Sequence, residues 1–187
     1  MEPIATSDPQ IILRPVTADD APALFAVIER NRPRLAEWLP WATPDQTEEQ
    51  LRQFLAERAE ENHSRTALTT LIMVEGQIAG SIAMHLFDLF RRSTSIGYWL
   101  AEANQGRGVA TTACRALIAE AFRNYNLHRI EIRCATGNAR SAAIPLRLGF
   151  HEEGVLRQAE PLHGGFVDLR LFSLLSHEWL LAVQLLT

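Results

Sequence analysis

Gln105-Gly106-Arg107-Gly108-Val109-Ala110 joins two patterns of different period. Upstream, Ile96 to Leu100 is a β-type run of aliphatic and aromatic residues. Downstream, Ala110, Ala113, Cys114, Leu117, Ile118, Ala121 and Phe122 recur at the i, i+3, i+4, i+7, i+8 spacing of an amphipathic helix. Two glycines at a strand-to-helix junction let the backbone approach a ligand closely. The unpaired N–H groups of the first helical turn, at the positive end of the helix dipole, favour a phosphate there. The stretch is therefore a candidate anion cradle, against the simpler alternative of a helix start that needed a turn. Its spacing excludes two familiar cradles. A P-loop needs a Gly-Lys pair, and none occurs near Gly106; a dinucleotide fingerprint needs a third glycine where Thr111 stands, and Glu131, the candidate ribose partner, sits inside a strand pattern.

Other residues with chemical potential are scattered. His85 lies in the strand pattern before the Ile96 run, either as a satisfied core histidine or as a base acting through water. His163 and Asp168 flank the last turn, where a substrate could enter, and His63, His128, His151 and His177 read as surface or capping residues. Trp38 and Trp41 share nine residues with Pro33 and Pro40. Rigid aromatics on a loop suit a substrate-binding wall, the alternative being that both indoles pack helices onto the core. The two cysteines, Cys114 and Cys134, are too few for a disulfide framework and lack metal-ligand spacing, so no metal site is expected. They read as small packed hydrophobes, with Cys134 near the cleft.

The elements that position these groups can be read in order. Ile11 to Val16 alternates as a first strand. Thr17 caps a helix whose apolar face is Ala21, Leu24, Phe25, Val27 and Ile28, with Asp19 and Asp20 at its positive end. A second helix opens at Asp45 or Thr47 and runs through Leu51, Phe54, Leu55 and Arg58 to about Asn62. Ala67 to Val74 and Gln77 to Leu86 flank the hairpin signal Glu75-Gly76, and Phe90-Arg91-Arg92 turns into the strand around Ser95. His128 to Ala135 alternates as a strand, Asn138 caps a shorter helix that stops at Gly149, Phe150 to Leu156 and Gly165 to Leu175 form a final strand pair, and Ser176 to Leu186 is an apolar helix. This order predicts an α/β fold: a central mixed, mostly antiparallel sheet flanked by helices.

Length and composition bound the rest. At 187 residues the chain is expected to be a single domain, residues 1–187, burying more than about two-thirds of its unfolded surface. A hydrophobic content of 47% with 21% charge is that of a globular protein. No apolar run reaches the ~18 residues of a membrane span, and Glu2 and Asp8 stand where a signal peptide would be basic, so the expected compartment is the cytoplasm. A net charge of −4 argues against a nucleic-acid surface and suits a cationic partner. Glu48, Glu49, Glu57, Glu60 and Glu61 read as a solvated helix face, with guidance of a basic partner as the minority alternative. The apolar tail Trp179 to Leu186 either covers the core or makes a homodimer contact, the dimer being favoured.

After its aromatic strand, the loop satisfies Q/R-x-x-G-x-G/A through Gln105, Gly108 and Ala110, and so resembles the acetyl-CoA-binding loop of the GCN5-related N-acetyltransferase (GNAT) superfamily. The stretches NRPRLAEWLPW, SIGYWL, NQGRGVATTA, RIEIRCATGNARSAAIPLRLGF, EEGVLRQAE and VDLRLFSLLSHEW resemble its RimJ/RimL branch, acetyltransferases of ribosomal-protein N-termini, over nearly the whole chain. The resemblance implies acetyl-CoA as cofactor, bound in a cleft between the central strands. Tyr98, Trp99 and Leu100 would line its pantetheine arm; Gln105, Gly106, Arg107, Gly108, Val109, Ala110 and Thr111 would hold its pyrophosphate; and Asn138 would contact it at the next helix start. It implies a primary amine as acceptor, first the N-terminal α-amine of a ribosomal protein or peptide, with a polyamine, drug or amino sugar as alternative, and a non-catalytic acyl-CoA-binding protein as the reading from another class.

One departure from the superfamily pattern is informative. Many members place a tyrosine seven residues after the asparagine as acid for the departing thiolate, and this chain has Pro145 there. Ser141 matches the serine that RimL-type enzymes use instead. Pro145 also cannot donate a hydrogen bond to the carbonyl of residue 141. The chemistry asked of the site is modest, since an α-amine with a pKa near ~8 loses its proton at pH 7 for about 1.4 kcal/mol, against over three times that for a lysine near ~10.4. The expected mechanism is direct attack by the amine, with an oxyanion held by the backbone N–H near Leu100 and the thiolate protonated by Ser141. His85, Trp38, Trp41 and Asp168 are the expected acceptor-side residues.

Overall fold

The first strand forms as predicted, as β2 (Ile11–Pro15), and beside it lies a two-residue strand, β1 (Ile4–Ala5), that no periodicity signals. A computed structural model describes residues 1–85 and 87–184. Thr17 opens a single 3₁₀ turn, and helix α1 (Ala21–Ala36) follows with Ala21, Leu24, Val27, Ile28 and Leu35 buried. The helix runs past the apolar face read from sequence, which ended at Ile28, and continues through Pro33 to Ala36. Each face has its own core: Ile28 and Leu35 pack with Leu51 and Leu55 of α2 (Glu48–Ser64), which Thr47 caps by accepting from the Gln50 N–H at 3.2 Å. Asn62, buried in the last turn of α2, hooks the helix to the sheet. Its side chain donates to the Thr69 carbonyl at 2.8 Å and accepts from the Thr69 N–H at 2.7 Å.

Strands β3 (Leu68–Val74) and β4 (Gln77–Met84) are joined by Glu75-Gly76, with φ of 50° and 78°. That pair of left-handed residues is what a two-residue hairpin turn requires, and a glycine in it carries no steric cost. Leu86, expected at the end of this strand, lies outside the described residues. Then come β5 (Ser93–Leu100), α3 (Val109–Arg123), β6 (Arg129–Ala135), α4 (Ala139–Arg147), β7 (His151–Leu162), β8 (Gly165–Leu175) and α5 (Ser176–Gln184). Strand β7 runs six residues past the predicted end, carried by an irregular stretch with Gln158 at φ 48°. Leu185 and Leu186 of the predicted tail lie outside the described residues.

The strands form one sheet in the order β1-β2-β3-β4-β5-β6-β8-β7. All neighbours are antiparallel except β5 and β6, which run parallel and pair only from Ser93 opposite Arg129 to Ile96 opposite Ile132. Beyond that point β5 stays with β4 as far as Leu100 opposite Gly80, and β6 stays with β8 as far as Ala135 opposite Leu169. The two halves of the sheet therefore diverge. On one face α3 buries Ala113, Cys114, Leu117, Ile118 and Ala121 completely, and each larger aliphatic side chain so removed from water stabilises the fold by about 1.5–3 kcal/mol. On the other face α1 and α2 roof the split.

Candidate active site

The split leaves one edge of β5 without a strand partner. The His85 N–H donates to the Ser95 carbonyl and the Ala101 N–H donates to the Ala79 carbonyl, so odd-numbered positions face β4. By the alternation of strand backbone, the amides of Tyr98 and Leu100 face the opening instead. Leu100 thus presents its N–H to the cleft, as the mechanism requires, while its carbonyl accepts from the Gln105 side-chain amide at 3.0 Å.

That bond places the loop. Gly106 and Gly108 have φ of 75° and 80°, and a Cβ added to either would meet no atom, so the glycines serve the left-handed backbone rather than close packing. Gly106, Arg107 and Gly108 are exposed at the start of α3, Ala110 and Thr111 are half-buried, and Val109 is buried in the core, so Val109 can offer a ligand only its backbone. Two cations that sequence reasoning did not single out stand around the loop. Arg140 of α4 donates to the Gln105 side-chain carbonyl at 3.2 Å, and Arg147 donates to the Thr111 hydroxyl at 3.0 Å. Glycine N–H groups, a helix start and the guanidinium groups of Arg107, Arg140 and Arg147 fit a polyphosphate.

At the apex of the split, Tyr98, Cys134 and Ser141 come together. Asn138 caps α4 as predicted, its side-chain oxygen accepting from the Ser141 N–H at 3.0 Å. The Ser141 carbonyl, which lacks its helical donor because residue 145 is proline, is served by another group: the Tyr98 hydroxyl lies 3.1 Å from it and 3.2 Å from the Ser141 hydroxyl. Burial first, and then the neighbouring Cys114, push the Tyr98 phenol far above its ordinary value, so it remains a proton donor at every working pH. Burial likewise raises the Cys134 thiol, partly offset by a hydrogen bond from Ser141. Both thiols are free; Cys114 is enclosed in the core, which also holds its thiol protonated.

Below the helical roof the opening widens into a cleft of about 660 Å³, within the range of small-ligand sites. Trp38, Trp41, Trp99 and His85 line it. Trp38 and Trp41 are 38% and 39% exposed, which favours the binding wall over the core-packing alternative. Trp41 lies 6.1 Å from the Trp99 ring, and Trp38 borders Gly137. Tyr98 and Trp99 part company: Tyr98 packs against the α3 core, while Trp99 packs under α1 and α2 on the other face. His85 stands so close to β5 that a Cβ on Gly97 would lie 2.7 Å from its Nε2. Desolvation lowers its pKa, Arg58 lowers it further and Glu61 opposes them, so the ring is neutral near pH 7.

Asp168 is not among the residues lining this cleft, although its neighbours Val167 and Leu169 are. Its carboxylate accepts from the Gln158 N–H at 2.8 Å and fixes the irregularity of β7, where the register shifts between Leu156 and Glu160. The shift brings both Ala159 and Glu160 to the cleft wall. Glu160 is the only acidic residue lining the cleft among the described residues, and sequence reasoning missed it because a bulge breaks the two-residue alternation that would have assigned its face. His163 instead lies outside this cleft, its Nε2 donating to the Glu37 carbonyl at 3.1 Å.

Comparison with known proteins agrees with this geometry. Residues 10–151 match the family model of the acetyltransferase (GNAT) domain. The Bacillus subtilis protein YdaF is 34% identical over 170 residues, covering 90% of this chain and 93% of that protein. The ribosomal-protein-serine acetyltransferase of Escherichia coli is 30% identical over 161 residues, 86% of this chain and 90% of that one. Among solved structures, a RimL ribosomal L7/L12 alpha-N-protein acetyltransferase, in complex with coenzyme A in disulfide linkage to a cysteine of that enzyme, superposes with a TM-score of 0.89 at 27% identity, covering 93% of this chain and 98% of that one.

Proposed function

The chain belongs to the acetyltransferase (GNAT) family, and on that premise we propose that it transfers an acetyl group from acetyl-CoA to the N-terminal α-amine of a protein or peptide, a ribosomal protein first. The observation that carries this reading is the placement of Glu160, a lone carboxylate in an aromatic cleft that opens onto the free edge of β5. A cationic ammonium entering such a cleft is drawn to that carboxylate, which then accepts its proton directly or through one water.

The cofactor fits the loop and the strand edge, both of which present donors without protein partners. Acetyl-CoA supplies the acetyl group as an activated thioester. Gln105 to Thr111, with Arg107, Arg140 and Arg147, would hold its phosphates, and the Tyr98 and Leu100 amides would align its amide arm. Asn138 serves the site indirectly, because its side chain sets the helix start that carries Ser141. The Leu100 N–H is aimed to stabilise negative charge on an oxygen in the opening. Ser141 donates a proton to the departing sulfur, while the Tyr98 hydroxyl holds the Ser141 turn in place. Cys134, beside Ser141, is a free thiol in the cleft wall. Trp38, Trp41 and His85 border the acceptor.

The whole chain, residues 1–187, acts as one acetyltransferase domain, in the cytoplasm where ribosomal proteins are made, and Leu180 and Leu181, 56% and 59% exposed on α5, form a homodimer contact. No described helix is long and apolar enough to cross a membrane. Coenzyme A thiol release, measured with a peptide, its N-terminally blocked form, a polyamine and an amino sugar, tests the acceptor. Turnover of the free peptide alone is expected. Turnover of the polyamine or amino sugar with the peptide inert would move the assignment to small amines.

A further inference from the structure

Among buried side-chain atoms without a hydrogen-bond partner, one belongs to a cation in the wall of the acceptor cleft: Nε of Arg58, on α2. A buried donor without a partner is uncommon, and Oε2 of Glu61 is likewise unpartnered, so this ion pair is made through one nitrogen and one oxygen only. Arg58 is also held in one orientation. Its guanidinium lies 5.0 Å over the Phe54 ring, and one terminal nitrogen is pinned at 2.9 Å by Glu61, with Glu57 farther off at 3.8 Å. The remaining N–H groups are therefore set before any ligand arrives, and a fixed planar fork matches a carboxylate. Among the described residues the cleft wall thus carries one carboxylate, Glu160 of β7, and two guanidinium groups, Arg133, engaged at 2.8 Å by Glu131, and Arg58 on α2.

We propose that Arg58 is a specificity-determining residue that binds a carboxylate of the acceptor, so that the enzyme selects amines bearing an acidic group near the reacting nitrogen. The inference rests on the acceptor reading above and narrows it. Its source can be an acidic side chain at the second or third residue of a peptide, or the carboxylate of a small amino acid.

Equilibrium titration of the cleft tryptophans by fluorescence, without cofactor, separates these sources. One pair of peptides differs only by glutamate or glutamine at the second residue, another at the third, and a third pair is a free amino acid and its amide. A charge-assisted hydrogen bond predicts at least about tenfold tighter binding of the acidic member in one pair, matched by the same ratio in kcat/KM when acetyl-CoA is added. Arg58→Gln should reduce that ratio to near one, and Arg58→Lys should keep part of it. The double variant Arg58→Gln with Glu61→Gln removes both charges and guards against misfolding caused by an uncompensated Glu61. Acidic preference absent from the unmodified enzyme, or retained in Arg58→Gln, would overturn the proposal. Peptides that are acetylated without charge preference would sink it while leaving the acceptor reading intact. Inert peptides beside an amino acid that binds better than its amide would do the reverse.

Discussion

Replacing Tyr98 by phenylalanine removes one hydroxyl and almost no volume, yet the structure gives that hydroxyl a defined task. The carbonyl of Ser141 has no helical donor because residue 145 is proline, and Tyr98 supplies one at 3.1 Å from a strand 43 residues away. Leaving a buried acceptor unpaired costs about 1–3 kcal/mol, and the half-buried setting of Ser141 puts the loss near the lower end, at about 1.5 kcal/mol. With a urea dependence of about 1–3 kcal/mol/M, the denaturation midpoint should fall by roughly 0.5–1.5 M. The specific test is a double-mutant cycle with Pro145→Ala, which restores the missing N–H. Pro145 is buried, so this change alone also destabilises through lost packing. In the double variant, however, the carbonyl has its helical partner back, and the combined loss should fall short of the sum of the single losses by about 1 kcal/mol. Losses that add to within ~0.5 kcal/mol would show that the hydroxyl does not replace the helical donor, and the account of how Ser141 is positioned would fail.

Three further outcomes follow from the same geometry. Gly108→Val should abolish the rise in melting temperature induced by acetyl-CoA, worth about 2.7 kcal/mol at a hundred times Kd, because φ of 80° is closed to valine and the loop must rearrange; an unchanged rise would count against the cradle. Ser141→Ala should lower kcat on the order of 10²-fold with acetyl-CoA affinity little changed, and a normal kcat between about pH 6 and pH 9 would remove Ser141 from the chemistry. Burial raises the Cys134 thiol, so alkylation should be slow at neutral pH and accelerate well into the alkaline range. Because Ser141 opposes that rise, Ser141→Ala should displace the alkylation profile to still higher pH; a profile that stays in place would deny the contact.

What could be read from sequence was whatever is local. The change of period at Gln105 announced α3, Asn138 announced α4, and Glu75-Gly76 announced the hairpin, since each depends on residues within one turn of one another. The helix through Pro33 escaped because tertiary packing of Leu35 against α2 outweighs the lost hydrogen bond. Strand β1 is too short for any periodicity to reveal it. Within the site, the pairing of Tyr98 with Ser141 and of Arg140 with Gln105 joins residues far apart in the chain, which only the fold brings together. Glu160 was hidden by a bulge, and Asp168 read as a substrate residue when its carboxylate is spent on holding that bulge.

The central claim is that the acceptor is a free N-terminal α-amine. It is tested most directly by incubating the enzyme and acetyl-CoA with a peptide that carries both a free N-terminus and an internal lysine, then locating the added acetyl group by fragmentation mass spectrometry. Acetylation of the N-terminus alone is expected, lost in Glu160→Gln and absent from a peptide already blocked there. Acetyl on the lysine side chain, or on the blocked peptide, would contradict it.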